Sequence, residues 1–384
     1  MKNYLLNNCW LKTLLIFALL TVAPPLFAAA PYTQVTEVFP SDPSANQFFG
    51  LAAAISDDVA VVGTPLTISG AAYVYAKTDA GWVFQQKLVP SDAANQNPGN
   101  QFGWAVAVAG DTIVVGAPRR RVGDGKNGAV YVFKRSETGT TWAEQAIITS
   151  RTSRPFGQSV ALRGGTLVVG ALEDRLSFGG VADSGMAFVF KRSGDEWIEE
   201  GNLMSSDIPD RNRWGVSVDI KGNTVVVATA EDPSGGGPVY VFSRQGSSWT
   251  QDTKLSPGGK AVSLWGASLA VGGGGVSIYE HVGPNWQLRQ SLPVGSGEQY
   301  VALREDRLLI GEHRTAGTGV AYLYGFDEET GQWTLNQTLV PADGQSGDLF
   351  GVAVSLSATA AIIGSPRHFH SPNPQSGAAY IYEP

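Results

Sequence analysis

The sequence predicts an all-β fold built from one repeated unit, and three observations carry that prediction. Residues 102–142 hold four strand-like segments separated by turn residues, and the same plan recurs along the chain about every 50 residues. Charged residues make up only 16% of the chain while glycines number 47, a composition of many tight turns. The two ends also complement each other. Residues 32–42 (YTQVTEVFPSD) match 82–92 (WVFQQKLVPSD) and 333–343 (WTLNQTLVPAD). The latter two close a unit, whereas the first precedes every unit, and the chain stops at 380–384 where such a segment is due. An array whose ends complete one unit is a ring. The expected fold is therefore a seven-bladed β-propeller with four antiparallel strands per blade, its N-terminal strand completing the last blade and hiding an open edge.

Residues 1–30 read as a secretory signal peptide. Lys2 and Lys12 flank a polar start, residues 14–23 are apolar, and Ala28-Ala29-Ala30 offers cleavage sites. The apolar run is short for a spanning helix and Pro24-Pro25 interrupts it, so no membrane insertion is expected once the signal is gone. Cys9, the only cysteine, leaves with it, and residues 31–384 form one domain with a core large enough to need no disulfide. Loss of Lys2 and Lys12 takes the formal net charge from −7 to −9. That excludes a general electrostatic attraction to nucleic acid or anionic membranes. An exported monomer is expected, in the periplasm, at the cell surface or outside the cell.

The second unit shows each element. Strand one, AVAVA, alternates as a sheet face does, and Gly110-Asp111 supplies a two-residue hairpin turn. Strand two, TIVVGA, is continuously apolar, as a strand buried on both faces should be. A polar loop leads to strand three, AVYVF, and strand four opens at Trp142. Strand three recurs from Tyr73-Val74-Tyr75 to Tyr380-Ile381-Tyr382, and strand four opens with Trp82, Trp142, Trp197, Trp249, Trp286 and Trp333, with Tyr32 in the remaining slot. These aromatics are expected to fill the spaces between units rather than to stack on sugars. Units five and six are shorter and lack the Phe-Gly that opens units one, two, three and seven (Trp214-Gly215 in unit four), so their side of the rim is expected to be low and open.

Phe102-Gly103 followed by Gly116-Ala117-Pro118 resembles the FG-GAP repeat of integrin α N-terminal propellers, and Phe49-Gly50, Phe156-Gly157 and Phe350-Gly351 are looser copies. The chain looks most like exported bacterial FG-GAP repeat proteins. Gly272-Gly273 is similar to a kelch motif, but the other units lack that double glycine. The resemblance implies a propeller that binds partners through one rim. It also implies calcium loops of the form DxDxDGxxD between strands one and two, yet those positions here hold only short turns, too short to wrap calcium in six to eight oxygens.

Function is expected on the rim shared by the strand-two-to-three loops and the unit-to-unit connections, in residues 119–127, 172–184, 229–237, 312–318 and 367–376. Arg119, Arg120, Arg121 and Lys126 in unit two, Arg314 in unit six, and Arg367, His368 and His370 in unit seven would form a basic arc for an anionic protein or glycan; the alternative is solvated loop charge balanced by acids such as Asp92, Asp343 and Asp348. His368 and His370 form an H-x-H pair, but no third histidine or cysteine lies nearby in sequence, so no metal and no cofactor is expected. Glu312-His313 and Glu173-Asp174 offer no nucleophile elbow or phosphate loop, and no catalytic residue is assigned. The aspartates ending strand four (Asp42, Asp92, Asp207 and Asp343) recur at equivalent sites and suit Asx turns. The leading reading is a non-catalytic binding or adhesion platform. The alternative is a polysaccharide hydrolase or lyase with a carboxylate pair on the propeller face.

Overall fold

The computed structural model describes residues 30–93, 99–122, 126–150, 155–172, 185–205, 207, 212–231, 235–295, 297–315 and 317–384. Tyr32–Pro384 form one compact unit. The expected signal segment lies almost wholly outside the described residues, as does most of the 172–184 loop.

Strand β1 (Thr33–Val38) precedes the first unit, β2 (Ala52–Ile55), β3 (Val59–Thr64), β4 (Ala71–Thr78) and β5 (Gly81–Leu88). The second holds β6 (Ala105–Ala109), β7 (Thr112–Val122), β8 (Lys126–Arg135) and β9 (Trp142–Ile148), and the third β10 (Phe156–Arg163), β11 (Thr166–Ala171), β12 (Met186–Ser193) and β13 (Glu196–Leu203). Then come β14 (Asn212–Lys221), β15 (Thr224–Glu231), β16 (Gly235–Gln245) and the long β17 (Ser248–Trp265), followed by β18 (Ser268–Gly273), β19 (Val276–Val282) and β20 (Asn285–Leu292). The chain ends with β21 (Gln299–Arg304), β22 (Arg307–Glu312), β23 (Val320–Asp327) and β24 (Gln332–Leu339), then β25 (Ala353–Leu356), β26 (Ala361–Ser365) and β27 (Ala378–Glu383). Within each unit consecutive strands pair antiparallel; three sheets have four strands, and larger ones of seven and eight arise where β17 runs on and where β8 meets β10 in parallel, an all-β fold that fits a β-propeller.

The chain ends meet. β1 pairs antiparallel with β27, from Thr33 opposite Glu383 to Val38 opposite Ala379, and makes a four-stranded sheet with β25 and β26. Innermost strands lie side by side, β2 touching both β6 and β25. The second strands β3, β11 and β26 are buried at every residue, which explains their unbroken apolar sequence, whereas the outer strands β20 and β24 alternate toward solvent.

Two departures from the sequence reading shape the rim. β7 and β8 continue beyond the sheet as a ribbon, Arg121 opposite Asn127, where a loop is expected. β17 serves as the outer strand of unit four and the inner strand of unit five without a break, because Ser256-Pro257-Gly258-Gly259 is too short to form the loop that Phe-Gly opens elsewhere.

The Phe-Gly pairs work at the joints between units. Phe49 is fully buried, meets Tyr73 edge-on at 5.4 Å, and packs with Ile362 and Ile381 of the last unit. Gly103, at φ +93°, lies so close to its neighbour that an added Cβ would stand 2.2 Å from the Ala71 carbonyl oxygen, and a Cβ on Gly63 would stand 2.0 Å from the carbonyl oxygen of Gly103. The same approach joins Gly364 to Gly50, last unit to first. Glycine is thus required on both sides of the joint, for backbone proximity as well as dihedral angle.

Outer strands are joined by glutamines. Gln86 accepts from the Trp142 amide at 2.7 Å and donates to its carbonyl at 2.8 Å, and Gln290 does the same to Trp333 at 2.8 and 2.9 Å. Gln337 treats Tyr32 identically, at 2.8 and 2.7 Å, so Tyr32 occupies the slot held elsewhere by tryptophan. The Trp82 and Trp142 indoles donate to Glu383 and Gln85 of adjoining units, which accords with packing rather than sugar stacking.

Candidate functional site

The rim residues singled out from the sequence divide into two groups. Arg119, Arg121, Arg314 and Arg367 are exposed and form no ion pair with a described residue. Arg367 lies 5.7 Å over the Phe48 ring. The Lys126 side chain is outside the described residues. Arg120 is spent internally: its Nε donates to Asp92 at 2.8 Å and its guanidinium lies 5.7 Å over the Tyr131 ring. His368 is only 3% exposed and His370 is half-buried, so the expected basic arc loses three of its members to internal contacts.

Arg120 belongs to a repeated device. The aspartate ending strand four reaches the first tyrosine of strand three in the next unit, and a cation covers that ring. Asp42 accepts from the Tyr73 hydroxyl and from Lys87 (2.6 Å), which lies over Tyr73. Asp92 takes Tyr131 (2.8 Å) with Arg120, and Asp207 takes Lys254 (2.9 Å), which lies over Tyr240. Where the tyrosine is Phe188, the aspartate position reads Thr152. The expected Asx turns therefore have a larger role, as ionic links between units. Burial works to raise the Asp92 carboxyl, yet the hydrogen bonds from Arg120 and Tyr131 hold it below the usual carboxylate range.

In the last unit this device changes character. Asp343 accepts from Tyr380 at 2.9 Å, but the partner on its other side is His368, whose Nε2 is 3.4 Å from Asp343 Oδ2 and 3.8 Å from Glu37 Oε1. His368 Nδ1 contacts Asp348 Oδ2 at 2.8 Å, and His370 Nε2 is 2.9 Å from Glu37 Oε1. Glu37 arrives on β1, from the opposite end of the chain. Burial, then the Asp343 charge, pushes the Glu37 carboxyl up to about 7; burial, then His368, pulls the His370 imidazole down.

A cleft of about 440 Å³ opens in the rim across units four to six. Its floor is glycine (Gly236, Gly258, Gly273, Gly274, Gly297), where β17 runs through without a loop, and its charged walls are Lys260, Glu298 and Arg314, with Tyr300 beside them. Lys260 pairs with Glu298 at 3.0 Å and, ahead of the more distant charge of Arg314, holds that carboxyl low; Arg314 itself makes no ion pair with a described residue. Glu312 packs against Gly297, and its Oε2, like His313 Nδ1, is buried without a hydrogen-bond partner.

The innermost strands enclose a second cavity, of about 380 Å³, lined by small and apolar residues such as Ala54, Ala107, Ala161 and Ala302. Asp219 is the one carboxylate among its described lining. It accepts from the Leu264 amide at 2.7 Å and is raised by burial, so this lining offers no carboxylate pair. Beside it, Lys221 (3.7 Å), Arg163 (4.9 Å) and Arg304 (4.9 Å) gather over the Trp265 ring. Sequence reasoning missed this group because the cations come from hairpin ends of three different units.

The FG-GAP repeat family matches residues 32–75, 82–133, 142–190, 197–242 and 333–382, leaving out the stretch where Phe-Gly is lost. No curated protein matches the sequence. Among solved structures, a chain in the crystal structure of a mitotic checkpoint complex superposes with a TM-score of 0.59 at 13% identity, over 99% of each chain. Saccharomyces cerevisiae Sqt1 superposes at 0.47 and 13% identity, over 92% of this chain and 99% of that one.

Proposed function

The chain belongs to the FG-GAP repeat family, and we propose that it is an exported, non-catalytic binding platform. In this reading it is a closed seven-bladed propeller whose loop-bearing rim docks an anionic protein or glycan. The observation that carries the reading is the rim cleft, whose glycine-rich lining stands beside Lys260 and the exposed Arg314, a cation in ion-pair contact with no described carboxylate. Guanidinium is suited to two-point capture of a carboxylate or sulfate, and Tyr300 adds a flat apolar wall. The exposed Arg119, Arg121 and Arg367 extend positive charge along the same rim. The inner cavity's single, fully hydrogen-bonded carboxylate speaks against the hydrolase or lyase alternative, which needs two carboxyl groups about 5–9.5 Å apart.

The test is binding of the purified chain to uronate-containing oligosaccharides and to poly-glutamate peptide. Binding should weaken at least tenfold in the Lys260→Ala/Arg314→Ala variant and as salt is raised. Arg119→Ala/Arg121→Ala/Arg367→Ala should weaken it less. Binding indifferent to both variants, or chain-cleaved oligosaccharide products, would overturn the reading.

A further inference from the structure

We propose that Glu37, His368 and His370, with Asp343 alongside, form a binding site for one divalent transition-metal ion, zinc by preference, that fastens the N-terminal strand to the loop preceding β27. The donor atoms of Glu37, His368 and His370 all lie within 4.8 Å of one another. The closest separations, 2.9 Å from Glu37 Oε1 to His370 Nε2 and 3.4 Å from Asp343 Oδ2 to His368 Nε2, bracket the spacing of about 3.3 Å that neighbouring donors take around tetrahedral zinc at about 2.0–2.1 Å.

The polar accounting points the same way. Glu37 Oε1 and His370 Nε2 are both buried and neither makes a hydrogen bond, despite their proximity. Two buried unsatisfied atoms facing each other cost stability that a shared cation would recover. The surrounding groups are also those that orient metal ligands. Asp348 Oδ2, at 2.8 Å from His368 Nδ1, is placed to accept a hydrogen bond from that nitrogen in the tautomer that leaves the Nε2 lone pair facing Glu37 and Asp343. The Tyr380 hydroxyl donates to Asp343 Oδ1 at 2.9 Å, turning Oδ2 toward the histidines. Two imidazoles with carboxylates suit zinc, nickel or copper, not calcium, which requires an all-oxygen shell. The site is independent of the rim cleft in units four to six.

The experiment is calorimetric titration of the full chain with zinc chloride after exhaustive chelation. One equivalent should bind the unsubstituted chain, and Co²⁺ should give the visible absorption of a tetrahedral ion. His370→Ala and Glu37→Gln should each weaken zinc at least tenfold and abolish the cobalt spectrum. His281→Ala, which removes an exposed histidine stacked on Trp286, should change neither. Melting in chelator checks that Glu37→Gln folds as the unsubstituted chain does. Failure to take up zinc, uptake that survives both ligand substitutions, or uptake lost with His281→Ala would each overturn the proposal.

Discussion

Replacing Tyr32 by alanine tests the chain-closing strand at its most loaded point. Tyr32 is 4% exposed and packs with Leu309, Leu339 and Tyr382, while its hydroxyl accepts from Arg307. Truncating a buried aromatic side chain costs about 3–5 kcal/mol. The lost charged hydrogen bond adds about 1.5–3 kcal/mol. Packing and bonding are coupled here, so a total of about 5 kcal/mol is expected. With an unfolding entropy of about 2.1 cal/mol/K per residue across roughly 350 residues, the melting temperature should fall by about 7 °C. Differential scanning calorimetry measures it. Val35, on the same strand but 46% exposed, supplies the control: Val35→Ala should cost less than about 0.5 kcal/mol and shift the melt by under about 1 °C. A Tyr32→Ala melt equal to that of the unsubstituted chain, or a Val35→Ala loss of the same size, would refute the closing role of β1.

Two glycines of similar φ, +98° at Gly81 and +93° at Gly103, separate strain from collision. Gly81 (φ +98°) has nothing within 4 Å of an added Cβ, so Gly81→Ala should cost about 1–2 kcal/mol, whereas Gly103→Ala should cost at least twice that by urea unfolding. The Asp92 carboxyl is held below its unfolded range, so its contribution is present above the unfolded pKa and lost as pH falls through the folded one. Asp92→Asn should therefore destabilise by about 2 kcal/mol at pH 7, and the difference should shrink in acid below about pH 4. If the gap persists unchanged at pH 2, the ionic link is not what Asp92 supplies. Gln337→Ala, which strips both hydrogen bonds from the Tyr32 backbone, should destabilise by about 1–3 kcal/mol, and Gln86→Ala by a similar amount at Trp142. A large difference between the two would mean that the outer-strand clamps are not equivalent.

Period-two alternation and turn chemistry made the strands readable in order, because each unit repeats the same burial: inner strand, fully covered second strand, outer strand half in water. The kinship of residues 32–42 with the outer strands was likewise legible, and β1 pairs with β27 as that kinship requires. Side-chain partnerships were harder to see. Arg120 read either as a rim cation for a partner or as one balanced by an acid such as Asp92, and nothing local announces that Tyr131 will converge on the same carboxylate. The H-x-H pair looked solitary because its acidic neighbour, Glu37, enters from the far terminus. The missing Phe-Gly of units five and six marked them as different, but the fusion of two strands into β17 was not foreseeable, since two separate strands and one continuous strand present the same pattern.

The pairing of β1 with β27 also orders events in time. β1, made before every repeated unit, finds its partner only when β27 has emerged, so shorter lengths of chain carry two unzipped borders at once. A chain cut short before Ala378 would keep both borders exposed, each able to recruit the same border of another copy. Truncated products should therefore associate with one another more readily than the full chain, whose β1 and β27 are already paired.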